Sequence, residues 1–368
     1  MKIVHVLLSL KGGGIQNFLL SLIPEQIKMG HTVSVIVTDE DNLEYSSKNK
    51  KYLETLGVKV YNLDRKVSDK VSFFQTWFKA RNIIKSINPD IVNSHSTYSH
   101  DAAAFATWGT KFKHCCTIHN APEPWDRISK LMNRNVPLIF CSDAALELRE
   151  QESRIMTAIN NGIDINLIRT EQTVDLHKEL SIPSDEKIVV LVGSTRPQKN
   201  YQLLIKIVEV LNNSKIHFCI CGGQYKVSRK GSNNNSYINL DQFDKYGNIH
   251  ILGLRNDVPA VLNGADAYLS CSLKEGLPIS ALEGFFSGIP CILSPIVQHT
   301  DIAVGVADCF IPNSFAPKDF IKSIYQALEC KDSHDDIYKK REEALRVFRI
   351  DRCAKEYIDF YNQILSNV

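Results

Sequence analysis

Two glutamates, Glu275 and Glu283, stand either side of seven residues in the run SCSLKEGLPISALEGFFSGIPCILSP, which spans Ser270 to Pro295. Between them Gly276, Leu277 and Pro278 form a turn that leads into a helix. Glycine lets the backbone take a sharp angle and proline suits the first turn of a helix, so amides near 276–280 are expected to be open. A helix start offers hydrogen-bond donors and about half a positive charge, which attracts phosphate. Carboxylates fit there only when they bond something neutral, such as sugar hydroxyls. The pattern therefore asks for a ligand that joins phosphate to sugar. The competing reading is a solvated acid pair on an amphipathic helix that packs Leu282, Phe285 and Phe286 inward.

A second polar segment, Gly193-Ser194-Thr195-Arg196-Pro197-Gln198-Lys199-Asn200, follows the apolar run Ile188–Val192 and precedes a helix with Leu203, Leu204 and Ile207 on one face. A guanidinium forks onto phosphate oxygens and an ammonium adds a mobile charge, so Arg196 and Lys199 suit a diphosphate whose negative charge grows as it leaves. Earlier in the chain, Cys116-Thr117-Ile118-His119-Asn120 ends a strand with an imidazole at its carboxyl edge, and Asn93-Ser94-His95-Ser96 ends the strand before it. His119 is expected to face a ligand, although lone histidines are more often structural, and His95 is a candidate for the acceptor side. Gly12-Gly13-Gly14 clears side chains from the first strand-to-helix turn. The run does not satisfy GxGxxG, since Asn17 stands three after Gly14, and NAD binding is disfavoured. Asp39-Glu40-Asp41 has the spacing of a metal and nucleotide signature but leads into the polar stretch Asn42–Lys51. It reads as a solvated loop, and no metal is called for.

With these residues in view, Glu275, Gly276, Leu277, Pro278 and Glu283, followed by Gly288-Ile289-Pro290, resemble the donor-site signature of the retaining family 4 glycosyltransferases, the group 1 enzymes of GT-B fold. Gly193 to Lys199 is similar to the Gly-Arg-x-x-x-x-Lys stretch that holds the donor pyrophosphate in that family, with Ser194 and Thr195 between the glycine and the arginine. The resemblance implies that Glu283 bonds the ribose, Arg196 and Lys199 the diphosphate, and Glu275 with the amides of Gly276 and Leu277 the donor sugar. It places His119 beside that sugar, on a hydroxyl or the phosphate, and the Gly13–Gly14 loop near donor phosphate and acceptor. The catalytic residues would be His119 and Glu275. The chain departs from the family after Pro290, where Ile296-Val297-Gln298-His299-Thr300-Asp301 replaces a glycine pair and an acid, and at Gln16 and Asn17, where an acid and an arginine are common.

What the resemblance implies is a metal-independent, retaining hexosyltransferase that needs no cofactor beyond its nucleotide-sugar co-substrate. UDP-sugar is the favoured donor, and the acceptor is a hydroxyl of a cell-surface glycan or lipid-linked saccharide, as in polysaccharide or lipopolysaccharide synthesis. A nucleotide-sugar epimerase of similar shape, or a non-catalytic partner subunit of a glycosyltransferase assembly, would carry the same motifs. Arg127, Lys130 and Arg134 are a basic surface for peripheral membrane contact, or only a solvated helix face.

The elements that must position these groups are read from periodicity. Residues 2–9 form an apolar run, Ile15–Met29 has helical spacing, and Thr32–Thr38 returns to strand, which makes a βαβ unit. Further strands are expected at Val58–Leu63, Ile91–Ser94, His114–Ile118 and Leu138–Cys141, with helices over Phe73–Ser86 and Ser99–Thr107 between them. After the turn Asn161-Gly162-Ile163-Asp164 and the polar residues 170–187, strands resume at Ile188–Val192, Ile216–Cys221, Ile249–Leu252, Ala267–Cys271 and Cys291–Leu293. Lys226–Asn239 reads as a flexible loop. The fold expected is α/β, with two Rossmann-like domains facing across a cleft. The resemblance makes residues 1–165 an acceptor-side domain and 166–350 a nucleotide-sugar domain, and it implies that a final helix in 351–368, with Tyr357, Phe360, Tyr361 and Ile364 at helical spacing, returns to the first.

Composition agrees with this class. The 368 residues are 44% hydrophobic and 23% charged, enough for two cores, and a net charge of +2 gives no basic excess for nucleic acid. Seven of the ten cysteines sit in apolar runs as small hydrophobes and none has CxxC spacing. With no secretory signal and no membrane-spanning run, the expectation is a cytoplasmic protein, working at the inner face of the membrane if it docks there.

Overall fold

An unbroken run of β-branched residues, without alternation to polar ones, makes a strand that must be covered on both faces. The segment KIVHVL obeys this as β1 (Lys2–Leu7), buried from Ile3 onward, so His5 is carried into the middle of a central strand. The structure is a computed structural model and describes residues 1–11, 13–39, 44–66, 70–119, 125–147, 154–169, 172–211, 214–223 and 240–366. The chain divides into two units, one of Met1–Gly162 with Val347–Val368 and one of Ile163–Arg346.

Among the described residues the first unit holds seven strands, β1, β2 (Thr32–Asp39), β3 (Lys59–Arg65), β4 (Ile91–Ser94), β5 (Lys113–Ile118), β6 (Leu138–Phe140) and β7 (Met156–Ala158). All their pairings are parallel, in the order β3-β2-β1-β4-β5-β6-β7. Chain order reverses between β1 and β4, the point at which open α/β sheets take their ligands, beyond the carboxyl ends of the strands. The register sets His5 opposite Asn93, and Asn93 opposite Cys115. One core joins Phe18, Leu19 and Leu22 of the Gly14–Lys28 helix to Tyr357, Phe360, Tyr361 and Ile364 of the Ile350–Ser366 helix. The Tyr361 hydroxyl accepts a 2.7 Å bond from Asn93 Nδ2, which fixes that last helix over β4. Gly162 is needed where the chain passes it, since a Cβ there would lie 2.5 Å from Ile350 Cα.

The second unit holds β8 (Lys187–Val192), β9 (Ile216–Cys221), β10 (Ile249–Gly253), β11 (Ala267–Ser270), β12 (Cys291–Leu293) and β13 (Cys309–Phe310), again parallel, in the order β10-β9-β8-β11-β12-β13. Its reversal lies between β8 and β11. A separate core of Leu204, Ile207, Phe218, Leu269 and Ile324 fills one face. Two strands, β7 and β13, and the short helix Leu176–Leu180 inside the polar stretch 170–187, were not expected from the sequence. Gly12, Glu40, Asp41, Asn120 and the loop Lys226–Asn239 lie outside the described residues. All ten cysteines are free. No described helix is long and apolar enough to cross a membrane.

Candidate functional site

In the second unit two loops leave the sheet beside the reversal point and are tied together. The first begins at Gly193, whose φ of +154° and whose distance from Lys199, 3.0 Å from a built Cβ to Cε, both favour glycine. Gly222 answers it after β9, because a Cβ there would fall 1.9 Å from Gly193 O. The Tyr201 hydroxyl donates to Gly193 O at 2.7 Å, and the Leu273 amide donates to Gln198 O at 2.8 Å, joining the loop after β8 to the loop after β11. Across this join Lys199 Nζ meets Glu275 Oε1 at 2.8 Å, with side-chain exposures of 19% and 9%. Arg196 is exposed and precedes the turn Pro197–Lys199.

The helix expected to open at Pro278 runs from Ile279 to Ser287, with Pro278 as its N-cap. Not every amide there is open, as the sequence had suggested: that of Ile279 is bonded to Leu277 O, and Pro278 has none. Gly276 and Leu277 are buried just ahead of the helix, and Glu283 is buried one turn inside it. Burial pushes the Glu283 carboxyl up to about 7, against the pull of the Lys199 charge. At neutral pH it therefore stands near the midpoint between acceptor and donor. Below it, Tyr268 shares a 2.8 Å bond with Ser280. The helix ends at Gly288 with φ +75°, where a Cβ would strike His334 O at 2.0 Å. Arg341, fully buried, donates to Phe285 O in the last turn of that helix and to Ala307 O and Asp308 O just before β13, and so ties the helix end to that strand.

His299 belongs to this site and was named in the sequence only as part of a departure from the family pattern. It is fully buried on the Val297–Ile302 helix, with Nδ1 at 3.0 Å from both Ser294 O and Ser294 Oγ. A carbonyl only accepts, so Nδ1 carries the proton and Nε2 is a bare acceptor, without a partner among the described residues. Burial lowers its pKa to about 4, and the charges that act on it are those of Glu275 and Lys199. It stands inside a helix and not at a strand end, so the signal that singled out His119 does not reach it.

In the first unit the Gly14–Lys28 helix starts at Gly13 without a side-chain cap, and both Gly13 and Gly14 are exposed. His119 follows β5. Its Nε2 lies 3.0 Å from His95 Nδ1, His95 Nε2 lies 2.9 Å from His5 Nδ1, and His5 Nε2 lies 2.9 Å from Gln26 Oε1. The sequence reading singled out His119 and His95 and missed His5 and Gln26, which look like core positions of a strand and a helix. Asp39 is not the solvated acid expected: Arg65 bonds its Oδ1 through Nε at 2.8 Å and Nη2 at 2.7 Å. The basic helix is a short one, Arg127–Met132, pinned by Ser129 Oγ and Asn133 Nδ2 to Asp101 at 2.7 and 2.9 Å. It shows Ile128 and Leu131, 65% and 73% exposed, between Arg127, Lys130 and Arg134. Asp308, Cys330 and Asp332 are close enough together to hold a cation, but Lys340 already pairs with Asp332.

Two family models match the chain, Glycosyltransferase Family 4 over residues 12–167 and Glycosyl transferases group 1 over residues 173–344. Between them they take in most of both units, and the chain belongs to the group 1, family 4 glycosyltransferases. A UDP-Gal:alpha-D-GlcNAc-diphosphoundecaprenol alpha-1,3-galactosyltransferase of Escherichia coli is 25% identical over 218 residues, 58% of this chain and 55% of that protein. An N,N'-diacetylbacillosaminyl-diphospho-undecaprenol alpha-1,3-N-acetylgalactosaminyltransferase of Campylobacter jejuni is 22% identical over 389 aligned positions, 98% of this chain and 99% of that one. HepE of Anabaena, solved in complex with UDP-glucose, superposes with a TM-score of 0.79 at 16% identity over 99% of this chain and 100% of its own, a likeness of fold. The fold is the two-domain α/β fold named GT-B, and the protein is a glycosyltransferase.

Proposed function

We propose that this glycosyltransferase moves a hexose from a nucleotide diphosphate sugar, most readily a UDP-sugar, to a hydroxyl of a lipid-diphosphate-linked saccharide, with retention at the anomeric carbon and without a metal. The observation that supports the donor half is the Lys199–Glu275 ion pair beside the helix that buries Glu283. A cation suits phosphate oxygens and buried carboxyls suit hydroxyls. In this reading Glu283 bonds the ribose, Arg196 and Lys199 the diphosphate, and Glu275 with the amides of Gly276 and Leu277 the transferred sugar. Catalysis is electrostatic: donors fixed before the reaction stabilise charge as the diphosphate departs, while the acceptor hydroxyl attacks from the same face. His119 bonds a sugar hydroxyl or the phosphate, and Gly13 and Gly14 let backbone come close to phosphate or acceptor.

The acceptor class rests on the names of the two relatives, both of which carry diphosphoundecaprenol. Docking to the membrane that holds such a lipid rests on the Arg127–Met132 helix, where exposed Ile128 and Leu131 stand among basic residues. Sedimentation with liposomes of graded anionic lipid checks it, and binding that ignores lipid charge removes the docking idea.

The deciding experiment is thermal stability with saturating UDP, GDP, ADP and CMP, for the wild type and Glu283→Ala. Ligand at about 100 times its dissociation constant adds about 2.7 kcal/mol. A UDP-selective shift that the variant loses supports the donor site. No shift with any nucleotide overturns it in favour of a non-catalytic subunit.

A further inference from the structure

The line of three histidines in the first unit has a direction. Gln26 Oε1 can only accept, so the 2.9 Å contact with His5 Nε2 puts a proton on that nitrogen. Burial lowers His5 to about 4 and His119 to about 3, and takes His95 well below the usual range, with its neighbouring imidazoles adding to the effect. All three rings are therefore neutral at pH 7, and each has one donor and one acceptor nitrogen. His5 Nδ1, being bare, accepts from His95 Nε2–H, and His95 Nδ1, bare in turn, accepts from His119 Nε2–H. The line ends at His119 Nδ1, a bare nitrogen with no partner among the described residues. A network that served only the core would close at both ends. Here one end rests on Gln26 Oε1 of the Gly14–Lys28 helix, whose Nε2 is left over among the described residues, and the other is the buried, unpartnered Nδ1 of His119.

The geometry points to Gln26, His5 and His95 as positioning residues that hold His119 in the Nε2–H tautomer, so that its Nδ1 accepts a hydrogen bond from a substrate hydroxyl and has none to give to phosphate. This rests on the reading of the chain as a sugar transferase with His119 at the sugar. It decides between the two partners that the family resemblance left open for this ring. The plane of the ring is held as well: Phe18 meets it edge-on, with centroids 5.5 Å apart at 60°. The device depends on sheet order, because β1, β4 and β5 are neighbours and bring residues 5, 95 and 119 side by side.

The test has two arms. In the full-length wild type, labelled with ¹⁵N-histidine, long-range proton–nitrogen correlation at pH 7.5 reports which ring nitrogen of His119 carries the proton, with the signals assigned by their loss in His119→Gln. A proton on Nε2 and a bare Nδ1 are expected. A proton on Nδ1, which reverses the line, or an imidazolium overturns the proposal, whatever the protein catalyses. The second arm compares His95→Leu with His95→Gln, whose amide oxygen can still accept from His119 Nε2–H. With a UDP-hexose that the wild type turns over, His95→Leu is expected to lower kcat about 10- to 100-fold with little change in KM, and His95→Gln to recover most of it. Two variants that differ only in melting temperature, with the His119 signals and kcat unmoved, would show a structural role and sink the proposal. A wild type that turns over no UDP-hexose while His119 shows the expected tautomer would instead count against the proposed UDP-hexose donor.

Discussion

Glu283 carries its own pH signal. Burial raises its pKa from 4.5 to about 7 in the unliganded protein, and a ribose hydroxyl donates best to the ionised form. Nucleotide binding should therefore draw a proton off the carboxyl. The affinity for UDP is expected to rise by about tenfold per pH unit as pH climbs towards 7, then to level off. Calorimetric titration between pH 5.5 and 8.5 checks this against Glu283→Gln, in which the titration of the nucleotide itself remains and the Glu283 contribution is gone. Curves of the same slope would mean that Glu283 does not touch the ligand. His299 makes a different prediction, because its buried, unpartnered Nε2 lies under the influence of Glu275 and Lys199, the groups assigned to the sugar and the diphosphate. His299→Leu should leave UDP affinity nearly unchanged and lower kcat/KM for the UDP-sugar by about tenfold, the worth of one hydrogen bond. A loss of UDP affinity with unchanged turnover would place His299 on the nucleotide instead.

At the scale of elements, the Ile279–Ser287 helix is held at its far end by Arg341, which meets three backbone carbonyls from within the core. Arg341→Ala removes three buried hydrogen bonds and leaves a cavity, although Phe285 O and Asp308 O keep the amides of Gly288 and Cys291, and should cost about 3 kcal/mol, read as a lower urea midpoint of the second unit. Less than about 1 kcal/mol would mean that water or a rearranged chain replaces the guanidinium. Arg341 also shows where sequence reading stops. The parallel strands were legible because burial on both faces writes itself as continuous apolar residues: Ile91–Ser94, Ile216–Cys221 and Cys291–Leu293 appear with the ends expected of them. β7 and β13, three and two residues long, are too short to leave a pattern. The donor-side residues were legible because a glycine turn, a proline and two acids lie within one short stretch. The line from Gln26 to His119 was not, since its members are spread over residues 26, 5, 95 and 119 and meet only once the order β1-β4-β5 is known. Arg341 looked like one of many charged residues on a polar helix.

For the molecule as a whole, buried histidines are unevenly shared between the units, and acid should find the difference. His5, His95, His100, His114 and His119 of the first unit are all lowered, chiefly by burial, to about 3 for His114 and His119 and about 4 for His5. The unfolded chain takes up protons at these residues below about 6.5 while the folded unit does not, so stability is full above that pH and is lost as pH falls towards the folded values. Each contributes at most about 1.4 kcal/mol per pH unit. Asp101, raised by burial to about 6, works in the opposite sense, one group against five. In the second unit His299 at about 4 is opposed by Glu283 at about 7, with His250 and His334 lowered as well. Hydrogen exchange at pH 7.5 and pH 5, corrected for intrinsic rates, should therefore show peptides of β1, β4 and β5 losing protection before those of β8, β9 and β11. Equal losses would mean that the histidines of the first unit are hydrated or charged in the native state. Earlier loss in the second unit would locate the acid-labile core around Glu283 and His299.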